Sequence, residues 1–206
     1  MSNAEIKKTS AYVWFDAEFT SLELETARLL QVAVIITDSD LNRLHPESAD
    51  LNLCIKLEEG EHVSEWVEEN LSSLVAQCRS EDAIPLEEVD QKMAELLDQY
   101  AGTPFDSIGE RPVLAGNSVH NDWFLMRRFL PNVGSRLHYR LLDVSTIKIQ
   151  WQDLVDKEAF DKESVETLNQ YFPGGGIDVA NAHDALFDIK ASIAELAFYR
   201  SGLFRH

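Results

Sequence analysis

The 206-residue sequence has only two cysteines and no apolar run that approaches the roughly eighteen residues of a membrane-spanning helix. Cys54 and Cys78 lack the spacing of a metal site, so we interpret them as buried or incidental thiols and not as a disulfide framework. The first ten residues are polar and contain no apolar stretch typical of a signal peptide. Internal repeats and low-complexity segments are absent as well. These absences favour a cytoplasmic protein and predict no membrane partner.

Basic residues are also scarce, because 18 Lys and Arg stand against 36 Asp and Glu and give a formal net charge of −18. A protein that slides along a nucleic-acid polymer normally presents an extended basic face that releases counterions. This composition has no basic surplus for such a face. Much of the acidity lies in residues 58–69 and 81–98, which we interpret as solvated faces of helices and loops. Any nucleic-acid substrate should therefore be short and held by a few local contacts together with a metal ion.

The spacing of apolar residues predicts strands first and helices later. Residues 11–19 and Leu29–Thr37 are compact apolar runs typical of buried strands, and residues 51–57 alternate like a half-exposed strand. Two further strands are predicted at residues 112–115 and 141–144. Helices are predicted at residues 63–70, 86–100, 123–129, 144–151, 162–171 and 183–199. This order indicates an α/β fold with a mixed five-stranded sheet flanked by helices, in one domain at residues 9–206 that follows a polar, disordered N-terminus at residues 1–8.

Two carboxylates occupy one face of the first predicted strand. Asp16 and Glu18 are two residues apart, so their side chains point to the same side, while Phe15, Ala17 and Phe19 point to the other. A solvent-exposed polar face is the simpler explanation, but so apolar a strand is expected at the centre of the sheet, where exposed charge is unusual. Carboxylates a few Å apart remain ionised together only beside a cation, and hard oxygen donors favour Mg²⁺ or Mn²⁺.

Three more candidates lie at predicted helix N-termini. His183 and Asp188 are five residues apart at the start of the last helix, within reach of a common site. A lone histidine is more often a structural hydrogen-bonding residue. The nearby carboxylate favours a general base here, because histidine titrates near neutral pH and can take a proton from water. Asp122 begins another helix, where it could equally interact with the helix dipole.

The segments around these candidates resemble four motifs of the oligoribonuclease family, in the histidine subclass of the DEDD 3′–5′ exonuclease superfamily. The matching segments are Asp16-Ala-Glu-Phe-Thr-Ser-Leu22, Gly116-Asn-Ser-Val-His-Asn-Asp122, His138-Tyr-Arg-Leu-Leu-Asp-Val-Ser-Thr146 and His183-Asp-Ala-Leu-Phe-Asp188. The first motif alone is unspecific, but four in the right order over most of the chain are a strong resemblance. It implies a ribonuclease H-like fold, which agrees with the predicted order of strands and helices.

The resemblance also implies a reaction, the hydrolysis of phosphodiester bonds with two metal ions. Asp16, Glu18, Asp122 and Asp188 would hold two Mg²⁺ or Mn²⁺ ions roughly 4 Å apart. His183 would deprotonate the attacking water. The substrate would be a very short single-stranded RNA, shortened from its 3′ end to 5′-mononucleotides.

The same resemblance implies residues that hold both ends of the RNA. Leu22 would wedge between the bases and Trp66 would stack on one, although either could be an ordinary core residue. Tyr139 resembles the tyrosine that reaches the active site of the neighbouring subunit, which implies a homodimer. The residues that match the family's cap on the 5′-phosphate are Ser118, Arg140 and Ser145.

The chain departs from the family pattern in three places. After Trp66 the residues run Glu68-Glu-Asn-Leu-Ser-Ser-Leu74 instead of a His-x-Ser-Gly-Leu segment. Residues 152–182 are longer than expected and contain a predicted flexible break at Gly174, Gly175 and Gly176, and Ala180-Asn-Ala182 replaces a basic residue before the last motif. Two alternatives therefore stay open, a related exonuclease that trims 3′ ends of longer RNA or DNA, and a non-catalytic nucleic-acid-binding module that has kept the fold.

Overall fold

A computed structural model describes residues 9–102, 107–155, 159–172 and 184–203. The strands within these ranges are β1 Tyr12–Phe19, β2 Leu29–Thr37, β3 Leu51–Cys54, β4 Val113–Gly116 and β5 Leu141–Asp143. They form one sheet in the order β3-β2-β1-β4-β5. The pairs β1–β2 and β2–β3 are antiparallel, whereas β1–β4 and β4–β5 are parallel. The predicted mixed five-stranded sheet is confirmed, with β1 at its centre.

Helices pack on both faces of the sheet. They are α1 Glu65–Asn70, α2 Ser72–Cys78, α3 Leu86–Tyr100, α4 His120–Phe129, α5 Pro131–Gly134, α6 Val144–Leu154, α7 Val165–Tyr171 and α8 Ala185–Leu203. Apolar residues of α3, α4 and α5 pack with Val13 and Phe15 of β1 on one face. Those of α6, α7 and α8 pack around Trp14 on the opposite face. In the described ranges no helix is both long and apolar enough to span a bilayer.

Several helix and strand boundaries differ from the predicted ones. α1 begins at Glu65, two residues later than predicted, because the hydroxyl of Ser64 accepts a hydrogen bond from the amide of Val67 at 3.4 Å and caps the helix. α7 begins at Val165 instead of residue 162 for the same reason, since Ser164 caps it. α2 was missed, because only two of its seven residues are buried and its apolar signal is weak.

The two cysteines are buried and free, as the sequence indicates. Their Sγ atoms lie 3.0 Å apart, and the thiol of Cys78 also donates to the carbonyl of Leu30 on β2 at 3.1 Å. The pair joins the end of β3 to α2 and helps to fix the segment that follows Trp66.

Candidate active site

The two carboxylates of β1 lie on the face of the sheet that α8 covers. Asp16 and Glu18 share this face with Trp14, because side chains alternate along a strand. In the register with β2, Asp16 is opposite Ala33 and Glu18 is opposite Gln31. The small side chain of Ala33 is buried under α8, so the helix can approach the sheet closely beside Asp16.

Asp188 joins these residues from the first turn of α8. Carboxylate oxygens of Asp16, Glu18 and Asp188 lie within 4.8 Å of one another. Asp122, in the first turn of α4, is buried and close enough to interact electrostatically with Asp16 and Glu18. The structure therefore brings all four predicted carboxylates to one region, and three of them to a distance at which they can share an ion.

Burial and crowding raise the pKa values of these carboxylates. The pKa of Asp16 lies well above its usual value, first because of burial and then because of the charges of Asp122 and Asp188. Burial, Asp188 and Asp184 raise the pKa of Glu18 to about 7. Burial raises the pKa of Asp122 to about 7, although backbone hydrogen bonds oppose the rise. Carboxylates so arranged need a cation to stay ionised at neutral pH, and their hard oxygen donors suit Mg²⁺ or Mn²⁺.

Asp184 is a fifth carboxylate at this site, and sequence reasoning missed it. Its Oδ1 accepts a hydrogen bond from the amide of Leu186 at 3.0 Å and so caps α8. Its Oδ2 accepts from Gln31 Nε2 at 3.3 Å and from Asn52 Nδ2 at 2.9 Å. These bonds attach the start of α8 to β2 and β3. The sequence does contain a signal for this cap, because Asp184 stands directly before an apolar helical run, which is a common capping position.

The predicted general base, His183, lies outside the described residues, as do Gly174, Gly175 and Gly176. What the structure describes is the residue that follows His183 in the chain. Because Asp184 is bonded to two strands, the point at which the chain enters α8 is fixed relative to Glu18 and Asp16.

Two of the predicted cap residues meet where α4 and α6 begin. Ser118 has a φ of 51°, a left-handed conformation that is uncommon for residues with a Cβ. Its amide donates to Asp143 Oδ1 at 3.1 Å and to Ser145 Oγ at 3.0 Å, and the two serine hydroxyl oxygens are 3.3 Å apart. The amide of Ser145 also donates to Asp143 Oδ1, at 2.9 Å. Because Asp143 accepts from both amides and Ser145 Oγ donates its proton to Asn117 Oδ1 at 3.0 Å, the hydroxyl of Ser118 is the group left to donate to a ligand.

Tyr139 and Arg140 lie directly before β5, and both side chains are exposed. The Arg140 guanidinium lies 5.7 Å from the centroid of the Tyr139 ring, which in turn packs against His138 with centroids 4.4 Å apart. Tyr139 is 64% exposed. Both side chains are therefore at the surface, where a ligand or a second subunit can contact them.

Leu22 and Trp66 are large apolar side chains in solvent, 86% and 64% exposed. Their interpretation as ordinary core residues is therefore wrong. Leu22 follows the end of β1 that contains Glu18, and the amide of Ser64, just before α1, donates to the carbonyl of Thr20 at 2.9 Å. The segment that contains Trp66 is thus attached to the same end of β1. Exposed apolar groups at such a site are suited to contact nucleic-acid bases.

Comparison with known proteins agrees with this geometry. The Exonuclease family model (RNase_T) matches residues 13–196. The chain is 31% identical over 193 residues to "Oligoribonuclease" of Francisella tularensis subsp. tularensis (strain WY96-3418), which covers 93% of this chain and 94% of that protein. The chain belongs to the oligoribonuclease family. A second relative, "Probable oligoribonuclease" of Drosophila melanogaster, is 33% identical over 199 residues, with 94% and 82% covered. This member of the oligoribonuclease family is therefore a nuclease, a hydrolase of phosphodiester bonds.

Solved structures show the same fold. Exonuclease I of E. coli in complex with a dA16 oligonucleotide superposes with a TM-score of 0.67 at 16% identity, over 94% of this chain and 41% of that one. Cell-death related nuclease 4 (CRN-4) gives a TM-score of 0.61 at 13% identity, over 95% of this chain and 65% of that one. The oligoribonuclease-family chain thus spans about two fifths of exonuclease I, and the predicted ribonuclease H-like fold is confirmed.

Proposed function

We propose that this chain is a 3′–5′ exoribonuclease that hydrolyses very short single-stranded RNA to 5′-mononucleotides. The main support is the group formed by Asp16, Glu18 and Asp188, whose carboxylate oxygens lie within 4.8 Å, in a chain related over most of its length to proteins named oligoribonuclease. The net charge of −18 agrees with a short substrate, because a long polyanion needs an extended basic surface.

The donor set fits the two Mg²⁺ or Mn²⁺ ions of our proposal. Asp16, Glu18, Asp188 and the buried Asp122 offer carboxylate oxygens, the ligand type that both ions prefer. Bound ions of this kind stabilise negative charge on a reacting phosphate and lower the pKa of an attacking water. Because Asp16 and Glu18 project from the central strand, their positions are set by the sheet before a substrate binds.

His183 is the proposed general base. A histidine side chain titrates near neutral pH, so at neutral pH its free nitrogen can take the proton of the attacking water. The attack forms a new bond to the last phosphorus and breaks the bond to the 3′ oxygen of the preceding nucleotide. The terminal nucleotide then leaves with its 5′-phosphate.

Substrate contacts are proposed at both ends of the RNA. Leu22 and Trp66 would contact the bases near the 3′ end, in agreement with their exposure. The 5′-phosphate cap, which we define as Ser118, Arg140 and Ser145, would bind the other end. The hydroxyl of Ser118, 3.3 Å from that of Ser145, and the guanidinium of Arg140 suit a terminal phosphate, because arginine can bind two of its oxygens at once. A cap close to the carboxylates would favour RNA of a few nucleotides.

A length series tests the function. The protein is incubated with 5′-phosphorylated RNA of two, seven and twenty nucleotides, with Mg²⁺ or Mn²⁺ and with a chelator as control, and the products are separated. Rapid metal-dependent conversion of the dinucleotide, with the 20-mer nearly untouched, is expected. Faster cleavage of the 20-mer would instead identify an enzyme that trims longer 3′ ends, and no cleavage of any length would point to a binding module.

We infer that the protein is a homodimer in which Tyr139 contacts the active site of the second subunit. Tyr139 is exposed and borders a surface cavity of about 440 Å³ that Ile108, Trp123, Arg127 and Leu137 also line. Aromatic and arginine side chains are enriched in subunit interfaces. Light scattering at micromolar concentration is expected to give twice the 23.3 kDa of one chain. A mass of one chain would contradict the dimer.

We also propose that residues 9–206 act as one exonuclease domain after a polar N-terminus at residues 1–8. The Exonuclease family match at residues 13–196 includes helices of both layers, which supports a single domain. The cytoplasmic location stays a prediction from the sequence.

A further inference from the structure

Asn117 connects three parts of the fold through one side-chain amide. It follows Gly116, where a Cβ would lie 2.9 Å from a carbonyl oxygen of β1. Because glycine has no Cβ, the chain at this position can lie directly against the central strand. Asn117 Oδ1 accepts a hydrogen bond from Ser145 Oγ of α6 at 3.0 Å. Asn117 Nδ2 donates to Ser192 Oγ and to Glu195 Oε2 of α8, each at 2.9 Å. Both donors of the amide are therefore used, and both reach α8.

Glu195 is a buried carboxylate in a largely apolar helix, with 5% of its surface exposed. Besides Asn117, it accepts a hydrogen bond from the hydroxyl of Tyr199 at 2.7 Å, and Lys148 Nζ lies 3.6 Å from the same oxygen. Burial of a charge costs several kcal/mol even when it is paired, and an apolar residue of similar volume often gives equal stability. Stability alone therefore does not explain a carboxylate at this position, and we look for a role in the hydrogen bonds that it accepts.

Hydrogen bonds join the 5′-phosphate cap to the helix that contains Asp188. The amide of Ser118 donates to Ser145 Oγ at 3.0 Å, and Ser145 Oγ donates to Asn117 at 3.0 Å. Asn117 donates to Ser192 Oγ at 2.9 Å, and Ser192 Oγ donates to the backbone carbonyl of Asp188 at 2.8 Å. The two serines of the cap and the first turn of α8 are thus parts of one hydrogen-bonded unit.

We propose that Asn117, Ser192 and Glu195 are positioning residues that hold the 5′-phosphate cap at a fixed distance from Asp188. The inference rests on the proposed function, because it requires a 5′-phosphate in the cap and a scissile phosphate at the carboxylates. In a dinucleotide these two phosphates are one nucleotide apart, so this distance selects the length of the substrate. A misplacement of about 1 Å can lower a rate on the order of 10²-fold.

The test compares Ser192→Ala and Glu195→Gln on RNA dinucleotides with a 5′-phosphate or a 5′-hydroxyl, in Mg²⁺. For the phosphorylated dinucleotide, kcat is expected to fall roughly tenfold, the equivalent of one hydrogen bond, while KM changes less than about twofold because the cap groups are intact. For the hydroxyl dinucleotide, kcat/KM should stay within about twofold of wild type, since its 5′ end does not engage the cap. Ser118→Ala removes a cap group itself and should mainly raise KM.

The matched control is Asp90→Asn, a change at another buried carboxylate. Asp90 accepts hydrogen bonds from Asn132 and from the amide of Val133, and it lies on α3, on the opposite face of the sheet. This variant should lower the melting temperature without changing the ratio of the two dinucleotide rates. The positioning role is contradicted if Ser192→Ala and Glu195→Gln slow both dinucleotides equally. It is also contradicted if the fall in kcat of each variant is explained by its lower melting temperature alone.

The same data separate this inference from the proposed function. If wild-type enzyme cleaves both dinucleotides equally well, the 5′-phosphate cap is wrong, and the positioning role is wrong with it. If wild type prefers the 5′-phosphate and both variants keep the full preference with unchanged kcat, the cap stands and only the positioning role is overturned. Ser192→Ala removes a single hydroxyl and leaves a strong helix former, so it provides a folded variant should Glu195→Gln unfold.

Discussion

Glu18→Gln is expected to lower kcat/KM by at least about 10³-fold. The same substitution should make the metal-free protein more stable at pH 8, by about 1–3 kcal/mol. Activity falls because the variant loses a carboxylate from the group that would hold the ions. Stability rises because burial and the charges of Asp188 and Asp184 oppose ionisation of Glu18. The gain in stability is smaller than the free-energy equivalent of the full pKa difference, because the side chain of Glu18 is partly exposed and solvent screens its charge.

The stability gain should depend on pH in a defined direction. The pKa of Glu18 rises from 4.5 to about 7 on folding. Between these values the folded protein binds more protons than the unfolded chain, so stability falls as pH rises through this window. Glutamine does not titrate, and its advantage should be small near pH 4.5 and complete above pH 7. Urea unfolding in a chelator across this range measures the difference.

Mn²⁺ and a surface variant provide the controls for this experiment. Added Mn²⁺ should raise the melting temperature of wild type and have much less effect on Glu18→Gln, so the order of stabilities reverses. Glu88→Gln alters an exposed carboxylate that pairs with Lys92 on α3, and should change stability by less than about 0.5 kcal/mol and leave activity intact. A Glu18→Gln protein that is less stable than wild type without metal would contradict the proposed electrostatic strain.

The faces of β1 could be predicted from sequence because strand periodicity is local. Alternation alone puts Asp16 and Glu18 on the side opposite Phe15 and Ala17, and the structure confirms it. Helix ends could not be predicted to the residue from apolar periodicity. They depend on single capping side chains such as Ser64 and Ser164, which start the helices later than the apolar pattern does. The short α2 gives too few apolar positions for its period to be recognised.

The hydrogen bonds around the site could not be predicted, because they join residues distant in the chain. Asp184 bonds to Gln31, which is 153 residues away, and Asn117 bonds to Glu195, which is 78 residues away. No local spacing connects such residues, and only the packing of α8 on the sheet brings them together. The exposure of Leu22 and Trp66 likewise depends on tertiary packing, since an apolar residue alone is equally compatible with a core position.

His183→Asn is expected to lower kcat by about 10²- to 10⁴-fold, the usual contribution of a general base, with little change in metal binding. A base removes a proton but does not hold the ion, so Mn²⁺ should still raise the melting temperature of the variant as it does for wild type. The wild-type rate should rise with pH as the imidazole loses its proton, and this rise should be absent in the variant.

A second histidine serves as the control for that loss. His62 is exposed before α1, and His62→Asn should keep both kcat and the pH profile. If His183→Asn abolished the Mn²⁺ effect on melting, His183 would be a ligand or a structural residue instead of a base. A pH profile unchanged from wild type would assign the titrating group elsewhere, and the buried carboxylates with pKa values of about 7, Glu18 and Asp122, would then be the residues to examine in the chelated and metal-bound protein.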